Sequence, residues 1–323
     1  MRVIFFGSGS FGLPTLDRLA AEHEVLAVVT QPDRPAGRKR KLTATPVGQW
    51  ATERGLDAWK AQDVNTPEFV TRVAQLEPEA SVVIAFGQKL SPTLIDAMGK
   101  LAVNLHASLL PKYRGAAPIQ RAMLAGETRT GVSVIALAQK MDAGAVFATA
   151  ATDIDPNETA GELHDRLARL GPEAIASVLD DLARGTLNPI EQDHDAATLA
   201  PKLTKAEGTV DFHQPAHAVR ATVHGLTPWP GCRVGVIPAD HAEPDPEPLS
   251  LCRVADVPGD PHQLEPGSIT PDGHVVTASA DAVLEVLELQ RPGSRPMTLG
   301  EFVRGHGDVW RRGTRLTPWW TSS

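Results

Sequence analysis

Short apolar runs alternate with amphipathic stretches along the first half of the chain. The runs at residues 3–6, 24–30 and 80–86 predict buried strands of a parallel sheet. Between them, residues 14–21, 47–54 and 67–75 carry the hydrophobic spacing of amphipathic helices. Strands that alternate with helices are typical of right-handed βαβ units. We therefore expect residues 1–188 to form one α/β domain, a Rossmann-like doubly wound parallel sheet.

The pattern changes after residue 188. Residues 189–206 are polar and without period, which predicts a linker. From 207 to 323 the chain carries short apolar runs separated by Pro/Gly turns, and these predict strands at 209–212, 232–237, 249–257, 267–269, 275–278 and 284–289. Several short strands in a small second domain predict an OB-like β-barrel, and barrels of this kind often bind oligonucleotides.

Length and composition limit the classes of protein that fit. The 323 residues suffice for two domains, and 42% hydrophobic and 22% charged residues are ordinary for a globular protein. No apolar run approaches the ~18 residues of a membrane span, so no membrane partner is expected. The only cysteines, Cys232 and Cys252, fit neither a metal cluster nor a disulfide framework. We therefore expect a cytoplasmic location and no metal site.

The first strand is followed by a glycine-rich turn, Gly7-x-Gly9-x-x-Gly12, which matches the dinucleotide-binding pattern. The acidic residue that should hold a ribose hydroxyl is missing, because Thr30 ends the second strand and Asp33 follows late between prolines. The turn is therefore predicted to be a tight strand-to-helix connection. An NAD-dependent dehydrogenase remains an alternative that rests on these glycines alone.

Polar residues interrupt the strand predicted to end near residue 105. Asn104 and His106 are two positions apart, so both side chains project from one face at the strand's carboxyl end. Ligands of open α/β sheets bind at such ends. Residues 108–118 then carry the prolines and glycine of a loop with a fixed path, and Pro118 suits the first turn of a helix.

A second polar group follows the strand predicted at residues 131–137. Asp142 lies in the loop after this strand and precedes Gly144 by two positions. On neighbouring strand ends, Asn104, His106 and Asp142 supply an amide donor, a proton shuttle and a carboxylate. These three residues are the candidate catalytic group.

Five short motifs together resemble the formyltransferases that use 10-formyltetrahydrofolate, and the resemblance covers nearly the whole chain. They are Asn104-x-His106, Ser108-Leu109-Leu110-Pro111, Arg114-Gly115, Pro118-Ile119-Gln120 and Asp142-x-Gly144. The resemblance implies acyl transfer without a metal. Asn104 would donate to the developing oxyanion, His106 would stabilise it and exchange protons, and Asp142 would orient His106 and favour its protonated form.

The resemblance also implies the folate-binding residues. Residues 108–111 (Ser108, Leu109, Leu110 and Pro111) would form an apolar wall for the folate rings. Phe86, Gly87 and Gln88, which follow the strand at 80–86, would line the pterin pocket. The co-substrate 10-formyltetrahydrofolate is the only cofactor expected.

A basic stretch distinguishes the members of this family. Five cations fall within eight residues in a chain of net charge −8, namely Arg34, Arg38, Lys39, Arg40 and Lys41. Without a hydrophobic period the stretch is predicted to be a loop. It resembles the methionyl-tRNA enzymes, in which such a loop reaches the acceptor end of the tRNA, and this implies initiator methionyl-tRNA as the partner of a monomeric enzyme.

Other formyltransferases, which act on sugar nucleotides or small amines, have a short turn at this place. They remain an alternative, as does a 10-formyltetrahydrofolate hydrolase. The second domain departs from the family, since it carries nine arginines, no lysine and fifteen acidic residues from Glu207 onward. Its attraction for tRNA therefore depends on a shared face for Arg291, Arg295, Arg304, Arg311, Arg312 and Arg315.

Overall fold

The computed structural model describes residues 1–36, 41–239, 247–307 and 309–319. The chain divides into two units. The first contains Met1–Pro118, Thr130–Thr152 and His164–Ala200, and the second contains Ile119–Arg129, Asp153–Leu163 and Pro201–Ser323. The described α-helices are Leu13–Glu22, Pro46–Glu53, Pro67–Ala74, Pro92–Ala97, Pro118–Leu124, Ala160–Ala168, Gly171–Arg184, Ala216–Gly225 and Leu299–His306.

The first unit is built on a seven-stranded sheet. Its strands lie in the order Val146–Asp153, Arg129–Ala136, Leu101–His106, Ala80–Ile84, Arg2–Gly7, Glu24–Thr30, Ala58–Lys60. The strand that comes first in the chain is an internal strand, fifth in this order, and pairs in parallel on both sides. The sheet is therefore wound outward in two directions, which confirms the predicted Rossmann-like fold.

Two strands at one edge of this sheet differ from the expectation. Arg129–Ala136 runs antiparallel to Leu101–His106, with His106 opposite Ser133. Its carboxyl end therefore does not lie beside that of Leu101–His106, and the predicted juxtaposition of parallel strand ends is wrong in this respect. The outermost strand, Val146–Asp153, is not predicted by the pattern. Its alanines and threonines are half-exposed at an edge and form no buried apolar run.

Helices cover both faces of the sheet because the first strand of the chain is apolar on both sides. Ile4 and Phe6 pack in one cluster with Phe69 and Leu94, which come from the helices Pro67–Ala74 and Pro92–Ala97. Phe5 projects the other way. A Cβ on Gly12 would lie 2.9 Å from its ring, so helix Leu13–Glu22 begins against this opposite face.

The described ends of the basic stretch pair with each other in a short antiparallel ladder, the basic hairpin. Arg34–Ala36 pairs antiparallel with Lys41–Thr43, with Arg34 opposite Thr43 and Ala36 opposite Lys41. The prediction of a loop is wrong for these six residues, because a ladder this short needs only backbone pairing and leaves no hydrophobic period. Arg38, Lys39 and Arg40 lie outside the described residues.

The second unit contains an antiparallel sheet. Its strands lie in the order Val275–Val276, Ala282–Gln290, Glu247–Pro258, Cys232–Ile237, Arg315–Pro318, and Met297–Thr298 also pairs with Ala282–Gln290. Single bridges join Ser268 to Arg315 and Ile269 to Val275. Residues 209–212 form only a bridge between Thr209 and Arg233 instead of the predicted strand.

Cys232 and Cys252 are both free thiols. Within the described ranges, no helix combines the length and the apolar character needed to cross a bilayer.

Candidate active site

The strand Leu101–His106 positions the first two candidate residues. Asn104 and His106 alternate with Leu105, whose side chain contacts the start of helix Gly171–Arg184 near Gly171. The alternation directs Asn104 and His106 to the other face, as predicted. Within the described part of the chain, the Asn104 amide has no hydrogen-bonding partner, so its N–H groups remain available to a ligand.

The His106 ring is 5% exposed and held from two sides. Its Nε2 lies 2.8 Å from the carbonyl oxygen of Tyr113, and its Nδ1 lies 3.6 Å from Oδ2 of Asp142. A carbonyl oxygen only accepts, so Nε2 carries the hydrogen of this bond. Nδ1 is then the ring atom that faces the carboxylate, and a proton on it makes the pair an ion pair.

Asp142 lies in the loop between strands Arg129–Ala136 and Val146–Asp153, and its carboxylate faces His106. Its Oδ2 also accepts the backbone N–H of Gly115 at 2.9 Å. The loop lies very close to its own sheet, because a Cβ on Gly144 would come within 2.0 Å of the Ala136 carbonyl oxygen. The Asp-x-Gly spacing is therefore required by packing, and it places the carboxylate within reach of the imidazole.

Three non-glycine residues at the site have left-handed backbone conformations. They are Ala85, Tyr113 and Asp142, with φ of 47°, 62° and 52°. Each such residue costs about 1–3 kcal/mol and persists only where its surroundings enforce the conformation. The strain is located where the Tyr113 carbonyl and the Asp142 carboxylate face His106.

The predicted folate wall is fixed by two buried serines. Ser108 is fully buried, and its hydroxyl donates to the carbonyl of Lys112 at 2.6 Å. Ser133, from the adjacent antiparallel strand, donates to the Ser108 carbonyl and accepts the N–H of Leu110. The side chains of Leu109, Leu110 and Pro111 remain half-exposed, so they can offer apolar surface to a ligand.

The predicted pterin loop contributes less side-chain surface than the sequence suggests. Phe86 is 3% exposed and packs edge-on against Phe6 in the core. Gln88 is also engaged, since its amide bonds to the carbonyl of Ala61 and the N–H of Val64. The part of residues 86–88 left to contact a ligand is the backbone, together with Gly87. Their role in folate binding stays a prediction.

Two of the three glycines of the first turn, Gly7 and Gly12, are explained by the protein's own packing. A Cβ on Gly7 would lie 2.4 Å from the Phe5 ring. At the end of the second strand, the Thr30 hydroxyl bonds to that of Thr45 at 2.6 Å, and Ser8 accepts the N–H of Gln31. Hydroxyl groups of the chain therefore occupy the place where a dinucleotide-binding protein presents an acidic residue.

Of the predicted tRNA-binding residues, Arg34 and Lys41 are the two that lie within the described ranges. Arg34 and Lys41 are both exposed, and Arg34 donates to the side-chain oxygen of Gln31 at 2.9 Å. They lie on opposite strands of the same short ladder.

Residues that the pattern assigns to a linker take part in the site. Gln192 donates to the carbonyls of Asp142 and Gly144, and Thr198 accepts the N–H of Tyr113. Leu199–Ala200 pairs in parallel with Arg114–Gly115. A polar segment without period gives no sign of such contacts, because its order comes from hydrogen bonds to distant backbone.

Family models match both parts of the chain. The model described as formyl transferase matches residues 1–179, and that of the formyl transferase C-terminal domain matches residues 202–307. The methionyl-tRNA formyltransferase of Solibacter usitatus is 38% identical over 306 residues, covering 94% of this chain and 96% of that protein. The Chromohalobacter salexigens methionyl-tRNA formyltransferase is also 38% identical, over 323 residues, covering 98% and 97%.

Two solved structures share the fold at low identity. One is an N-formyltransferase from Helicobacter canadensis in complex with folinic acid and dTDP-3-aminofucose, with a TM-score of 0.65 and 13% identity, covering 88% of this chain and 98% of that one. The other is HypX from Aquifex aeolicus with tetrahydrofolic acid, with a TM-score of 0.60 and 18% identity, covering 94% and 48%.

Proposed function

Because the chain belongs to the methionyl-tRNA formyltransferase family, we propose that the site around His106 transfers a formyl group from 10-formyltetrahydrofolate to initiator methionyl-tRNA. The α-amino nitrogen of the esterified methionine attacks the formyl carbon. The tetrahedral intermediate collapses by breaking the bond to the folate nitrogen. The amine loses one proton and the folate nitrogen gains one, so the products are N-formylmethionyl-tRNA and tetrahydrofolate.

One observation carries the assignment of roles: the Asn104 amide, unpartnered within the described residues, projects from the same strand face as the buried His106, which faces Asp142. An oxyanion forms on the formyl oxygen during attack, and a preorganised amide donor stabilises it. We infer that His106 exchanges protons with the reacting nitrogens through Nε2, whose hydrogen is held by the Tyr113 carbonyl until the substrate binds. Asp142 orients the ring through Nδ1.

The folate would lie along Ser108–Leu109–Leu110–Pro111. The half-exposed leucines and proline of this segment offer apolar contact to the aromatic rings, while Ser108 is buried and holds the backbone path. The backbone of Phe86, Gly87 and Gln88 would complete the pocket with hydrogen bonds. Folate ligands in the related solved structures support this co-substrate class.

The tRNA would contact the basic hairpin through Arg34, Arg38, Lys39, Arg40 and Lys41. Arg34 and Lys41 are both exposed, which supports a surface role. We also propose that the second unit is an OB-like barrel. Residues 268 and 269 bridge the two outer strands of its sheet, which supports closure of the ring. We further propose that the enzyme is a cytoplasmic monomer, as the family resemblance implies.

The acceptor decides between this function and its alternatives. We would incubate the enzyme with 10-formyltetrahydrofolate and one acceptor at a time: charged initiator tRNA, free methionine or a dTDP-amino sugar. We expect rapid formylation of the charged tRNA and no rapid formylation of free methionine or of the amino sugar. Formylation of the amino sugar with none of the tRNA would contradict the proposal, as would release of formate at the same rate without any acceptor.

A further inference from the structure

Gln192 connects the segment after the α/β sheet to the loop that carries Asp142. Its side chain is 8% exposed. The amide Nε2 donates to two backbone carbonyls, those of Asp142 at 2.9 Å and of Gly144 at 2.7 Å. One side chain thus bonds to the backbone on both sides of Ala143 and bridges the turn.

Arg114 holds the other end of the same amide. Its guanidinium Nε and Nη2 lie 3.1 and 2.6 Å from Oε1 of Gln192, and Nη2 lies 2.9 Å from Nδ1 of His194. Arg114 is 4% exposed, and among the described residues no carboxylate forms an ion pair with it. A buried charge without such a partner depends on its hydrogen bonds.

These contacts leave Gln192 a single orientation. A guanidinium only donates, so the amide oxygen must face Arg114. A carbonyl only accepts, so the amide nitrogen must face Asp142 and Gly144. Reversing the amide would break all of these bonds at once, and the loop is therefore held at a fixed distance from Arg114.

The fixed loop matters because Asp142 is in the left-handed region, with φ of 52°. An L-residue leaves this conformation readily unless its peptide groups are restrained. The Gln192 amide restrains the carbonyl of Asp142 itself, while Gly115, the neighbour of Arg114, donates to the Asp142 carboxylate. Both restraints depend on the Arg114–Gly115 strand: the Arg114 side chain orients Gln192, and the Gly115 N–H binds the carboxylate.

We propose that Gln192, oriented by Arg114, is a positioning residue that fixes the Asp142 carboxylate against His106 for formyl transfer. The proposal rests on the function assigned above to His106 and Asp142. A displacement of about 1 Å in such a group can cost about 100-fold in rate. Loss of the Gln192 amide should therefore slow the chemical step and leave the binding of both substrates nearly unchanged.

The test compares Gln192→Leu, which keeps the size and removes both polar groups, with Gln192→Glu. The second variant keeps an oxygen for Arg114 and replaces the donor, so it preserves the buried partner of the guanidinium if Gln192→Leu fails to fold. We expect kcat to fall about 10- to 100-fold in either variant. KM for methionyl-tRNA and for the folate should stay within about threefold. The same changes at the exposed Gln75 are matched controls and should leave kcat unchanged.

A double-mutant cycle with Asp142→Asn separates positioning from a general structural role. If Gln192 acts through Asp142, the double variant should be little slower than Asp142→Asn alone. Losses that multiply, or a Gln192 variant with kcat within twofold of the parent, would overturn the inference. If Asp142→Asn itself retains full activity, the proposed function of that carboxylate is wrong instead.

Discussion

At the scale of single residues, the site is a set of polar groups whose partners are nearly all accounted for, with Asn104 as the exception. His106 bonds to a backbone carbonyl and faces a carboxylate, and Asp142 bonds to a backbone N–H. The Asn104 amide alone has no bond within the described residues. An amide donor without a partner is suited to stabilise the negative charge that develops only during the reaction.

Asn104→Ala should lower kcat by about 10²–10³-fold, the usual cost of one oxyanion donor. The dissociation constant of the folate should change little, because the oxyanion is absent from the ground state. Single-turnover formylation and equilibrium binding of the folate measure the two quantities. Asn188→Ala, at an exposed position, is the matched control. Equal losses in binding and turnover would show that Asn104 holds the substrate instead.

The site residues that could be predicted from the sequence are those that form a recognisable chemical motif. His106 and Asp142 meet in the structure and Asn104 lies on the same strand as His106, although the roles of all three stay predictions. Gln192 and Ser133 cannot be found in this way, since one lies in an irregular polar segment and the other inside an apolar strand. Their importance comes from backbone groups that are distant in sequence.

At the scale of elements, helix Ala216–Gly225 is fastened to strand Glu247–Pro258 by a buried histidine. His224 is 1% exposed, and its Nε2 accepts the N–H of Val254 at 3.2 Å. Burial lowers the pKa of His224 to about 4, and the nearby guanidinium groups of Arg220 and Arg253 act in the same direction. The folded second unit therefore holds this imidazole neutral.

The sign of the pH effect follows from this lowered pKa. Between pH 6.5 and 4 the unfolded chain binds a proton at His224 that the folded chain does not, so folding weakens as the pH falls. The titration of His224 should lower the free energy of unfolding by about 2 kcal/mol between pH 7 and pH 5. Denaturant unfolding at the two pH values measures it.

His224→Gln removes the titration while an amide oxygen can still accept the Val254 N–H. Its stability should therefore depend less on pH over this range than that of the parent. The exposed His217, on the same helix, provides the control His217→Gln, whose pH dependence should match the parent. Identical pH dependence in parent and His224→Gln would contradict the assignment of the proton to His224.

The basic hairpin is the element that most distinguishes the proposed acceptor. Replacing Arg38, Lys39, Arg40 and Lys41 together by Ala should weaken tRNA binding. It should also flatten the dependence of log K on log salt by roughly 0.7–0.9 for each phosphate that the variant no longer neutralises. Folate affinity should not change. Binding titrations of charged initiator tRNA at several salt concentrations measure both effects.

A control for charge alone replaces four exposed cations elsewhere by Ala, namely Lys100, Arg129, Arg169 and Arg184. It has the same net charge as the hairpin variant. If the two variants bind tRNA equally well, the hairpin supplies no contact of its own. The contact would then have to come from the arginines of the second unit.

At the scale of the whole molecule, the α/β sheet is easier to predict from the sequence than its edges are. Buried parallel strands are apolar on both faces and produce clear runs, as in Ala80–Ile84. Edge strands lack this signal. The strands Val146–Asp153 and Arg315–Pro318 carry no such run, and neither does the basic hairpin. The antiparallel direction of Arg129–Ala136 is likewise invisible in its composition.

The domain boundaries remain a prediction, and the structure adds detail near residue 189. The first unit includes His164–Ala200, and within that segment Gln192 and Thr198 bond to the candidate site. A truncation at residue 188 would therefore remove groups that hold Asp142 and Tyr113. A catalytic fragment designed from this chain should extend to Ala200.

The central claim is that His106, with Asn104 and Asp142, transfers a formyl group to charged initiator tRNA. Its most direct measurement is single-turnover formylation of methionyl-tRNA by the parent enzyme and by His106→Ala, at saturating 10-formyltetrahydrofolate. We predict that His106→Ala forms N-formylmethionyl-tRNA at least about 100-fold more slowly while it binds the folate as the parent does. Near-normal formylation by His106→Ala would contradict the account.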